Sequence, residues 1–314
     1  MMLTTIIRSL YNIKPPLCGG VITIGNFDGV HIGHQQLIAQ LVSKAKELSA
    51  PSLVVTFEPH PFEFFLGKNC HIPRITRLRE KWAALSHCAV NHIIIINFNQ
   101  QVANITASDF VKLIHRELHP KHIIIGDDFR FGYQRQGDFQ LLDRMGQQLG
   151  FTTQSIPTVL VDEERVSSTR VRAALMEGKL DLAKRLLNRP YCMLGRIRGG
   201  KQLGRQLGFP TANIALHRHL TPITGIYTVY VHGITHDLPW PGVASIGTRP
   251  TIGGTQALLE VHLLDFHHTI YGKNVSIEFC KKLRDEMYFP NLNLLKEQIA
   301  NDVAVARMFF NERK

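Results

Sequence analysis

The chain has 314 residues, of which 44% are hydrophobic and 19% are charged, the composition of a globular protein with substantial cores rather than of a disordered chain. Since a domain holds about 100 to 200 residues, we expect two domains. No run of about 18 apolar residues suggests a membrane span, and the N-terminal segment lacks the features of a secretory signal. The five cysteines are scattered and form no CxxC pair, so we expect a reducing, cytoplasmic environment without disulfides or a zinc site.

The formal net charge of +11 first suggests a nucleic-acid partner. The charge is spread evenly, however, because residues 1–190 hold 22 basic and 16 acidic side chains and residues 191–314 hold 14 and 9. No run of five like charges occurs. Two sites for small phosphorylated anions account for the excess equally well, so we expect neither a nucleic acid nor a membrane as a partner.

The first part of the chain alternates short apolar runs with helical patterns. The predicted strands are 21–25, 52–57, 92–97, 122–126 and 151–156. The predicted helices between them are 33–48, 78–88 and 108–118. This rhythm indicates an α/β domain with a Rossmann-like parallel sheet covered on both faces.

After Arg189–Pro190 the pattern changes to strand upon strand. The predicted strands are the runs YCMLGRI, GIYTVYV, PGVASIG, ALLEVHLLD and NVSIEF, and only 292–310 returns to a helical period. A small β-barrel or sandwich closed by a C-terminal helix fits this pattern. We therefore predict a first domain at residues 1–186 and a second at residues 187–314.

The string GNFDGVHIGHQ at 25–35 predicts a strand that leads through a glycine-containing turn into a helix. Such a turn aims free backbone N–H groups at an anion outside the strand ends. His31 and His34 can face the same crevice, where imidazoles can donate hydrogen bonds to phosphate and stabilise a departing pyrophosphate. Two histidines three residues apart are by themselves more often surface or core residues. The complete HxGH motif, directly after the GNFDG turn, favours a phosphate-binding site instead.

Later segments add groups suited to the same site. Residues 167–169 precede a helical pattern, so their hydroxyls can form a second phosphate cradle or simply cap the helix, with Arg165 and Arg172 as phosphate clamps. In 58–62 the prolines stiffen a loop beside an aromatic ring that can stack on a planar ligand. Asp127 and Asp128 can accept hydrogen bonds from a nucleoside or flavin. A metal shared by these two neighbours is disfavoured, because adjacent side chains in an extended chain point in opposite directions.

These motifs resemble the N-terminal module of the prokaryotic bifunctional riboflavin kinase/FAD synthetase family. The matching strings are GNFDGVHIGHQ (25–35), TFEPHPFEFF (56–65), GDDFRFGYQRQGD (126–138) and RVSSTRVRAAL (165–175). The resemblance covers most of the first 180 residues and implies transfer of the adenylyl group of ATP to FMN, with His31 and His34 as catalytic residues. The implied ATP-binding residues are Gly25, Phe27, Asp28, His31, Gly33, His34, Arg165, Ser168, Thr169 and Arg172. The implied flavin-binding residues are His60, Pro61, Phe62 and Asp128.

A second candidate site lies in 195–213, where four basic residues stand among five glycines before a Phe-Pro turn. Glycines let a backbone approach phosphate closely, and basic side chains neutralise it. The GxxxxGK[ST] pattern is absent, so a P-loop kinase is not supported. Taken alone, such a loop can equally contact an RNA backbone.

The C-terminal third as a whole resembles the riboflavin kinase module of the same family. The matching segments are 195–214, 225–231, 241–254, 259–266, 271–279 and 283–289. The implied ATP-binding residues are Gly195, Lys201, Gly204, Arg205, Thr211 and Asn213, of which Thr211 and Asn213 also meet Mg²⁺. The resemblance makes Glu260 the base that takes the proton of the primary ribityl hydroxyl. Without it, Glu260 is more simply a polar residue on the solvent face of an alternating strand.

Together the resemblances imply that riboflavin is phosphorylated to FMN and that FMN is adenylylated to FAD with release of pyrophosphate. The implied partners are riboflavin, FMN and ATP with Mg²⁺, and flavoprotein clients are compatible with such products. The chain departs from the family at 269–272, which read TIYG rather than DLYG, and at Tyr288, where lysine is usual. A class I aminoacyl-tRNA synthetase would share the HxGH word, but no KMSKS-like loop occurs. A non-catalytic flavin- or RNA-binding regulator is the other alternative.

Overall fold

The computed structural model describes residues 4–9, 18–199, 204, 207–218, 220–235, 238–251 and 254–312. The chain divides into two compact units, of which the first comprises Met1–Ile72 and Thr76–Ser168 and the second comprises Pro73–Ile75 and Thr169–Lys314. Within the described ranges, no helix combines the length and the apolar character needed to cross a membrane.

The first unit is built on a parallel sheet of six strands. They are β1 (Thr5–Arg8), β2 (Val21–Ile24), β3 (Ser52–Glu58), β4 (His92–Asn97), β5 (His122–Gly126) and β6 (Thr152–Ile156). The strand order is β1-β4-β3-β2-β5-β6, so β2 has β3 on one side and β5 on the other. Such a reversal of strand order opens a crevice outside the carboxyl ends of the two flanking strands, which is where ligands bind in α/β sheets.

Helices cover both faces of this sheet because its central strands are apolar on both faces. They are α1 (Ile32–Glu47), α2 (Pro61–Leu66), α3 (Leu78–Ser86), α4 (Gln100–Ala103), α5 (Ala107–Leu118) and α6 (Phe139–Leu149). Val54 and Ile124 pack with α1 and α3, whereas the next residues along the same strands, Val55 and Ile125, pack with α5 and α6. Two short strands, β7 (Leu160–Val161) and β8 (Glu164–Arg165), pair after β6.

The second unit contains a closed antiparallel barrel. Two helices precede it, α7 (Ser168–Met176) and α8 (Leu180–Leu187). The barrel strands are β9 (Cys192–Arg198), β10 (Thr211–Ala215), β11 (Gly225–His232), β12 (Trp240–Thr251), β13 (Gly254–Leu263) and β14 (Asn274–Arg284). They close in the order β10-β13-β12-β11-β14-β9.

Side chains alternate between the inside and the outside of this barrel. Along β13, Leu259 and Val261 are buried inside, whereas Glu260 and His262 are half-buried on the outer face. The last helix, α9 (Leu292–Asn311), covers the outer face of β11 and β12, where Val303 and Phe310 pack with Ile226. The outer surface of the barrel is therefore partly apolar under α9 and polar beside it.

The predicted fold class is confirmed, since a parallel α/β sheet is followed by a small barrel and a C-terminal helix. Four strands were not predicted: β1, β7, β8 and β10. The first three are short, and β10 begins at the end of 195–213, a stretch whose composition alone indicates a loop. The domain boundary between residues 186 and 187 stays a prediction.

The second unit also contains a short segment from much earlier in the chain, Pro73–Ile75. Three side chains of the unit bond to its carbonyl oxygens: Arg172 Nε to Pro73 at 2.7 Å, Arg218 Nη1 to Arg74 at 2.9 Å and the Tyr191 hydroxyl to Ile75 at 3.2 Å. Hydrophobic periodicity gives no signal for such a segment, because its contribution is made by backbone carbonyls.

Candidate active sites

A cavity of about 720 Å³ opens at the carboxyl ends of β2 and β5. This is the place that the strand order predicts for a ligand. The residues predicted from the sequence that line it are Gly25, Phe27, His31, Gly33, His34, His60, Pro61, Phe62, Asp128, Arg165 and Ser168. The structure thus brings together residues from four separate parts of the first unit, at 25–34, 60–62, 128 and 165–168.

His31 and His34 stand together at the start of α1, on one wall of the cavity. His31 is the N-cap residue, and its Nδ1 accepts a hydrogen bond from the backbone N–H of His34 at 3.4 Å. Because Nδ1 accepts, the proton of the neutral His31 ring resides on Nε2, which is then a hydrogen-bond donor. The two rings are stacked with their centroids 3.6 Å apart, and the positive end of the α1 dipole adds to the attraction for an anion.

Two glycines make room for this arrangement. A Cβ on Gly33 would come within 3.3 Å of the His31 ring, and a Cβ on Gly25 would come within 3.2 Å of the Phe27 ring. The Phe27 ring in turn meets His34 edge-on at a centroid distance of 5.0 Å. The glycines of the GNFDGVHIGH string therefore allow rings to pack closely beside the cavity.

Asp28, for which the resemblance implies a role in ATP binding, lies behind the residues that line the cavity, and that role stays a prediction. It is 1% exposed and does not line the cavity. Its Oδ1 accepts hydrogen bonds from the backbone N–H of Thr76 at 2.9 Å and from the Thr76 hydroxyl at 3.2 Å. Its carbonyl accepts from the Ser168 hydroxyl at 2.8 Å. Asp28 thus holds the turn in place and ties it to Ser168, which does line the cavity.

Phenylalanine side chains form an aromatic wall of the cavity. Phe57, Phe62, Phe65, Phe98, Phe110, Phe129 and Phe131 line it. His60 caps α2 by accepting from the backbone N–H of Phe62 at 3.3 Å, and the two rings lie 3.8 Å apart. Aromatic rings in such a wall can hold a large planar ligand by stacking and edge contacts.

The acidic pair after β5 faces two different partners. The Asp127 carboxylate accepts from the backbone N–H of Thr158 at 3.0 Å and from its hydroxyl at 2.8 Å, which fixes the loop after β6. Asp128 forms an ion pair with Arg165. In the part of the chain that the structure describes, no group of three His, Cys, Asp or Glu side chains is arranged for a metal.

The second candidate site lies on the outer face of the barrel. Glu260 of β13 stands directly opposite Asn213 of β10 on one side and opposite Ser245 of β12 on the other. Thr211 stands opposite His262, two residues further along the same pair of strands. Directly opposite residues share a face of the sheet, so Thr211, Asn213 and Glu260 form a polar group there.

The approach to β10 is held by close backbone contacts. The backbone N–H of Phe209 donates to the carbonyl of Gly204 at 2.7 Å. A Cβ on Gly204 would come within 2.4 Å of the Phe209 carbonyl oxygen and 3.2 Å of Thr211 Oγ1, so only glycine fits there. His262 Nδ1 lies 2.9 Å from the carbonyl oxygen of Pro210.

Comparisons with known proteins follow the same division of the chain. Residues 14–170 match the family model for FAD synthetase, and residues 187–310 match the model for riboflavin kinase. A bifunctional riboflavin kinase/FMN adenylyltransferase of Haemophilus influenzae is 45% identical over 98% of this chain and 99% of its own length. The Escherichia coli protein of the same description is 43% identical over 98% and 99%. This chain belongs to the bifunctional riboflavin kinase/FMN adenylyltransferase family.

A solved structure extends the likeness to the whole fold of such a two-module chain. The crystal structure described as a macrolide-efflux protein from Streptococcus pneumoniae has a TM-score of 0.81 and 29% identity, over 97% of this chain and 99% of that one. The cavity of the first unit is thus part of the FAD synthetase module, and the polar group on the barrel is part of the riboflavin kinase module.

Some of the predicted residues are not brought to these sites. Thr169 and Arg172, which the resemblance assigns to ATP in the first site, are not among the residues that line the cavity, and Arg172 Nε donates to the carbonyl of Pro73. In the riboflavin kinase module, Gly195 lies on the same face of β9 as Ile197, which is buried inside the barrel. A Cβ on Gly195 would come within 2.3 Å of the Ile214 side chain, so the glycine faces the barrel core. Lys201 and Arg205 lie outside the described residues.

Other residues at the sites were not predicted. Phe98, Phe129 and Phe131 line the cavity, and the strings that contain the last two were recognised without assigning them a role. In the riboflavin kinase module, the Glu286 carboxylate lies against Gly247 of β12. The distance along the chain between these two residues hides their proximity in the sequence.

Proposed function

We propose that the riboflavin kinase module phosphorylates riboflavin with one ATP, and that the FAD synthetase module joins the resulting FMN to the adenylyl group of a second ATP. In the first reaction the γ-phosphoryl group passes to the ribityl hydroxyl and ADP leaves. In the second, an oxygen of the FMN phosphate attacks the α-phosphorus of ATP and pyrophosphate leaves. Neither reaction needs a covalent enzyme intermediate, so positioning and charge stabilisation are expected to account for catalysis.

The observation that carries the adenylyl transfer is the stacked pair His31–His34 at the N-terminus of α1, inside a cavity with an aromatic wall. His31 Nε2 and the His34 ring are suited to donate to the triphosphate, and they stabilise the negative charge that develops on the leaving pyrophosphate. Gly25, Phe27 and Gly33 shape this end of the cavity. Ser168 and Arg165 supply further donors for phosphate oxygens.

The flavin is assigned to the part of the cavity that His60, Pro61 and Phe62 line together with the aromatic wall. Asp128 offers a carboxylate acceptor for N–H or O–H groups of the flavin, and its ion pair with Arg165 holds it in place. Asp28 supports ATP binding indirectly through the turn, while direct contacts of Thr169 and Arg172 with the triphosphate stay a prediction.

In the riboflavin kinase module, Glu260 is the proposed general base. A carboxylate within reach of the ribityl hydroxyl can remove its proton as the phosphoryl group arrives. Thr211, Asn213 and Gly204 are assigned to the phosphates of ATP, and the same assignment for Gly195, Lys201 and Arg205 stays a prediction. The barrel face offers these groups side by side.

Magnesium fits this face by the chemistry of its donors. The Thr211 hydroxyl and the Asn213 amide oxygen are two neutral oxygen ligands on one side of β10, and Mg²⁺ prefers a few protein oxygens together with substrate phosphates. When bound, the ion neutralises charge on the ATP phosphates. We place the protein in the cytoplasm, in keeping with its five free cysteines. Its products are those that flavoprotein clients take up.

Product analysis tests the proposal directly. The full-length protein is incubated with riboflavin, ATP and Mg²⁺, and the flavins are separated by chromatography. We expect FMN first and FAD afterwards. FMN without FAD would contradict the adenylyl transfer. FAD formed from supplied FMN, with no turnover of riboflavin, would contradict the kinase.

A further inference from the structure

The segment just before strand β10 is held by a side chain of the neighbouring strand β13. The β10–β13 pairing begins with Thr211 opposite His262. Pro210, the residue before it, has no N–H and cannot donate to a neighbouring strand. The carbonyl oxygen of Pro210 lies 2.9 Å from Nδ1 of His262, and the Phe209 ring meets the His262 ring edge-on at a centroid distance of 5.6 Å.

This contact fixes which nitrogen of His262 carries the proton. A carbonyl oxygen can only accept, so Nδ1 donates and Nε2 of the neutral ring is without a proton. Burial is the main cause that lowers the pKa of His262, and Arg307 lowers it further, while the bond to Pro210 and the charge of Asp265 act in the opposite direction. The neutral ring is therefore favoured near pH 7.

We propose that His262 is a positioning residue of the riboflavin kinase reaction, which through its Nδ1–H bond to Pro210 holds Thr211 and Asn213 in register with Glu260. The inference rests on the proposed roles of those three residues. One strand carries the groups assigned to Mg²⁺–ATP, and the adjacent strand carries the base. The ring of His262 links the two strands at the end where Gly208 and Phe209 lead into β10. Losing the bond would misplace the ATP relative to the base without removing any group that touches substrate.

A pair of matched substitutions tests this role. In His262→Asn the amide nitrogen takes the position of Nδ1 and can still donate to Pro210, whereas in His262→Gln it takes the position of Nε2 and cannot. We expect His262→Gln to lower kcat/KM for ATP by about 10- to 100-fold, the usual effect of losing a group that orients a metal ligand, and to raise the Mg²⁺ concentration needed. His262→Asn should retain most of the wild-type value. The KM for riboflavin should change less than the KM for ATP in both variants.

Two controls accompany these measurements. Adenylylation of supplied FMN is measured in each variant and should be unchanged. Thermal unfolding shows whether the barrel is equally stable in the two variants. Equal kinase activity in the Asn and Gln variants, whether high or low, would overturn the proposal. A further test on the wild-type protein does not depend on how the variants fold. In NMR of the ¹⁵N-histidine-labelled protein, the signal of His262 is identified by its disappearance in His262→Asn. We expect that signal to show the Nδ1–H form, and the Nε2–H form would overturn the proposal. Absence of FMN formation by the wild-type protein would instead refute the proposed function.

Discussion

The imidazole rings of His31 and His34 lie face to face, with 3.6 Å between their centroids and 16° between their planes. The stack exists because His31 ends the turn and caps α1 while His34 lies one turn further into the helix. One residue thus has two roles: its Nδ1 caps the helix, and its Nε2–H is the donor that we propose for the triphosphate. These two roles can be separated by mutation.

We expect His31→Asn to abolish most FAD synthesis without unfolding the helix. Asparagine is a good N-cap residue, so the hydrogen bond to His34 can be kept while the donor at the position of Nε2 is lost. Removing one such donor should reduce the rate of FAD formation from FMN and ATP by about 10²- to 10³-fold. The rate is measured by chromatography of the flavins. His34→Ala should show a similar loss.

Riboflavin phosphorylation by the same preparations is the control, and it should continue at the wild-type rate. A folded His31→Asn protein that makes FAD at the normal rate would show that the ring is only a helix cap. A variant that loses both activities while remaining folded would contradict the separation into two sites.

Glu260→Gln should have the opposite effect. The amide is nearly the same shape as the carboxylate but cannot accept the proton of the ribityl hydroxyl, so we expect phosphorylation of riboflavin to fall by about 10²- to 10⁴-fold. Supplied FMN should still be converted to FAD. Ser245→Ala is a matched control, because it changes the residue directly opposite Glu260 while leaving the carboxylate in place. If Glu260→Gln phosphorylates riboflavin normally, the base lies elsewhere.

The sequence was most informative where chemistry is carried by consecutive residues. The GNFDGVHIGHQ string predicted a strand, a turn and a helix start, and the structure has all three at 21–47. Asp28 shows the limit of this reasoning, since its carboxylate is turned to Thr76, a residue 48 positions away. A motif indicates which residues are close, but not which of them face the ligand.

Features that depend on distant pairing were not predictable. Strand β10 exists because β13 and β9 flank it on both sides, whereas its own sequence is short and follows a glycine-rich stretch. The segment Pro73–Ile75 joins the second unit through carbonyl oxygens, which every residue has. Neither feature leaves a periodic pattern of side chains from which it could be inferred.

A fragment comprising residues 187–314 should fold alone and retain riboflavin kinase activity, but with reduced stability. The hydroxyl of Tyr191 donates to Ile75 in the full chain, and the residue is 3% exposed. Arg218, which is 6% exposed, donates to Arg74. Both acceptors are absent from the fragment, and each lost bond should lower the free energy of unfolding by about 0.5 to 1.5 kcal/mol. The free energy of unfolding is measured by urea denaturation, followed by the fluorescence of Trp240. The full chain carries Trp82→Phe in this experiment, because the sequence has two tryptophans and only Trp240 lies in the fragment.

Tyr191→Phe provides the matched control for this experiment. In the full chain it removes one of the two bonds and should destabilise the barrel by about 1 kcal/mol. In the fragment the same substitution removes a hydroxyl that already lacks its carbonyl, so it should have little effect. Equal destabilisation in both proteins would show that the bond to Ile75 does not matter. An inactive or insoluble fragment would count against a boundary at residue 187.

Acid should destabilise the FAD synthetase module partly through His122. This residue starts β5, and its Nδ1 lies 2.6 Å from the hydroxyl of Thr152. Burial is the main cause that lowers its pKa from 6.5, and the charge of Lys44 lowers it further. The unfolded chain therefore binds the proton more readily than the folded one. The contribution of His122 to the free energy of unfolding is therefore fully present above the pKa of the unfolded chain. It is lost progressively as the pH drops below about 6.5.

His122→Asn tests this linkage because it can keep a hydrogen bond to Thr152 but does not titrate. The free energy of unfolding is measured between about pH 7.5 and about pH 5, where the variant should lose less stability than the wild type. Trp82 reports on this module in a Trp240→Phe background. His71→Asn makes the same substitution at an exposed histidine of the same unit and is the control for the exchange itself. His92, whose pKa burial also lowers, is present in all three proteins, so the difference between their curves isolates His122. Parallel curves for wild type and His122→Asn would show that the imidazole is as accessible to protons in the folded protein as in the unfolded chain.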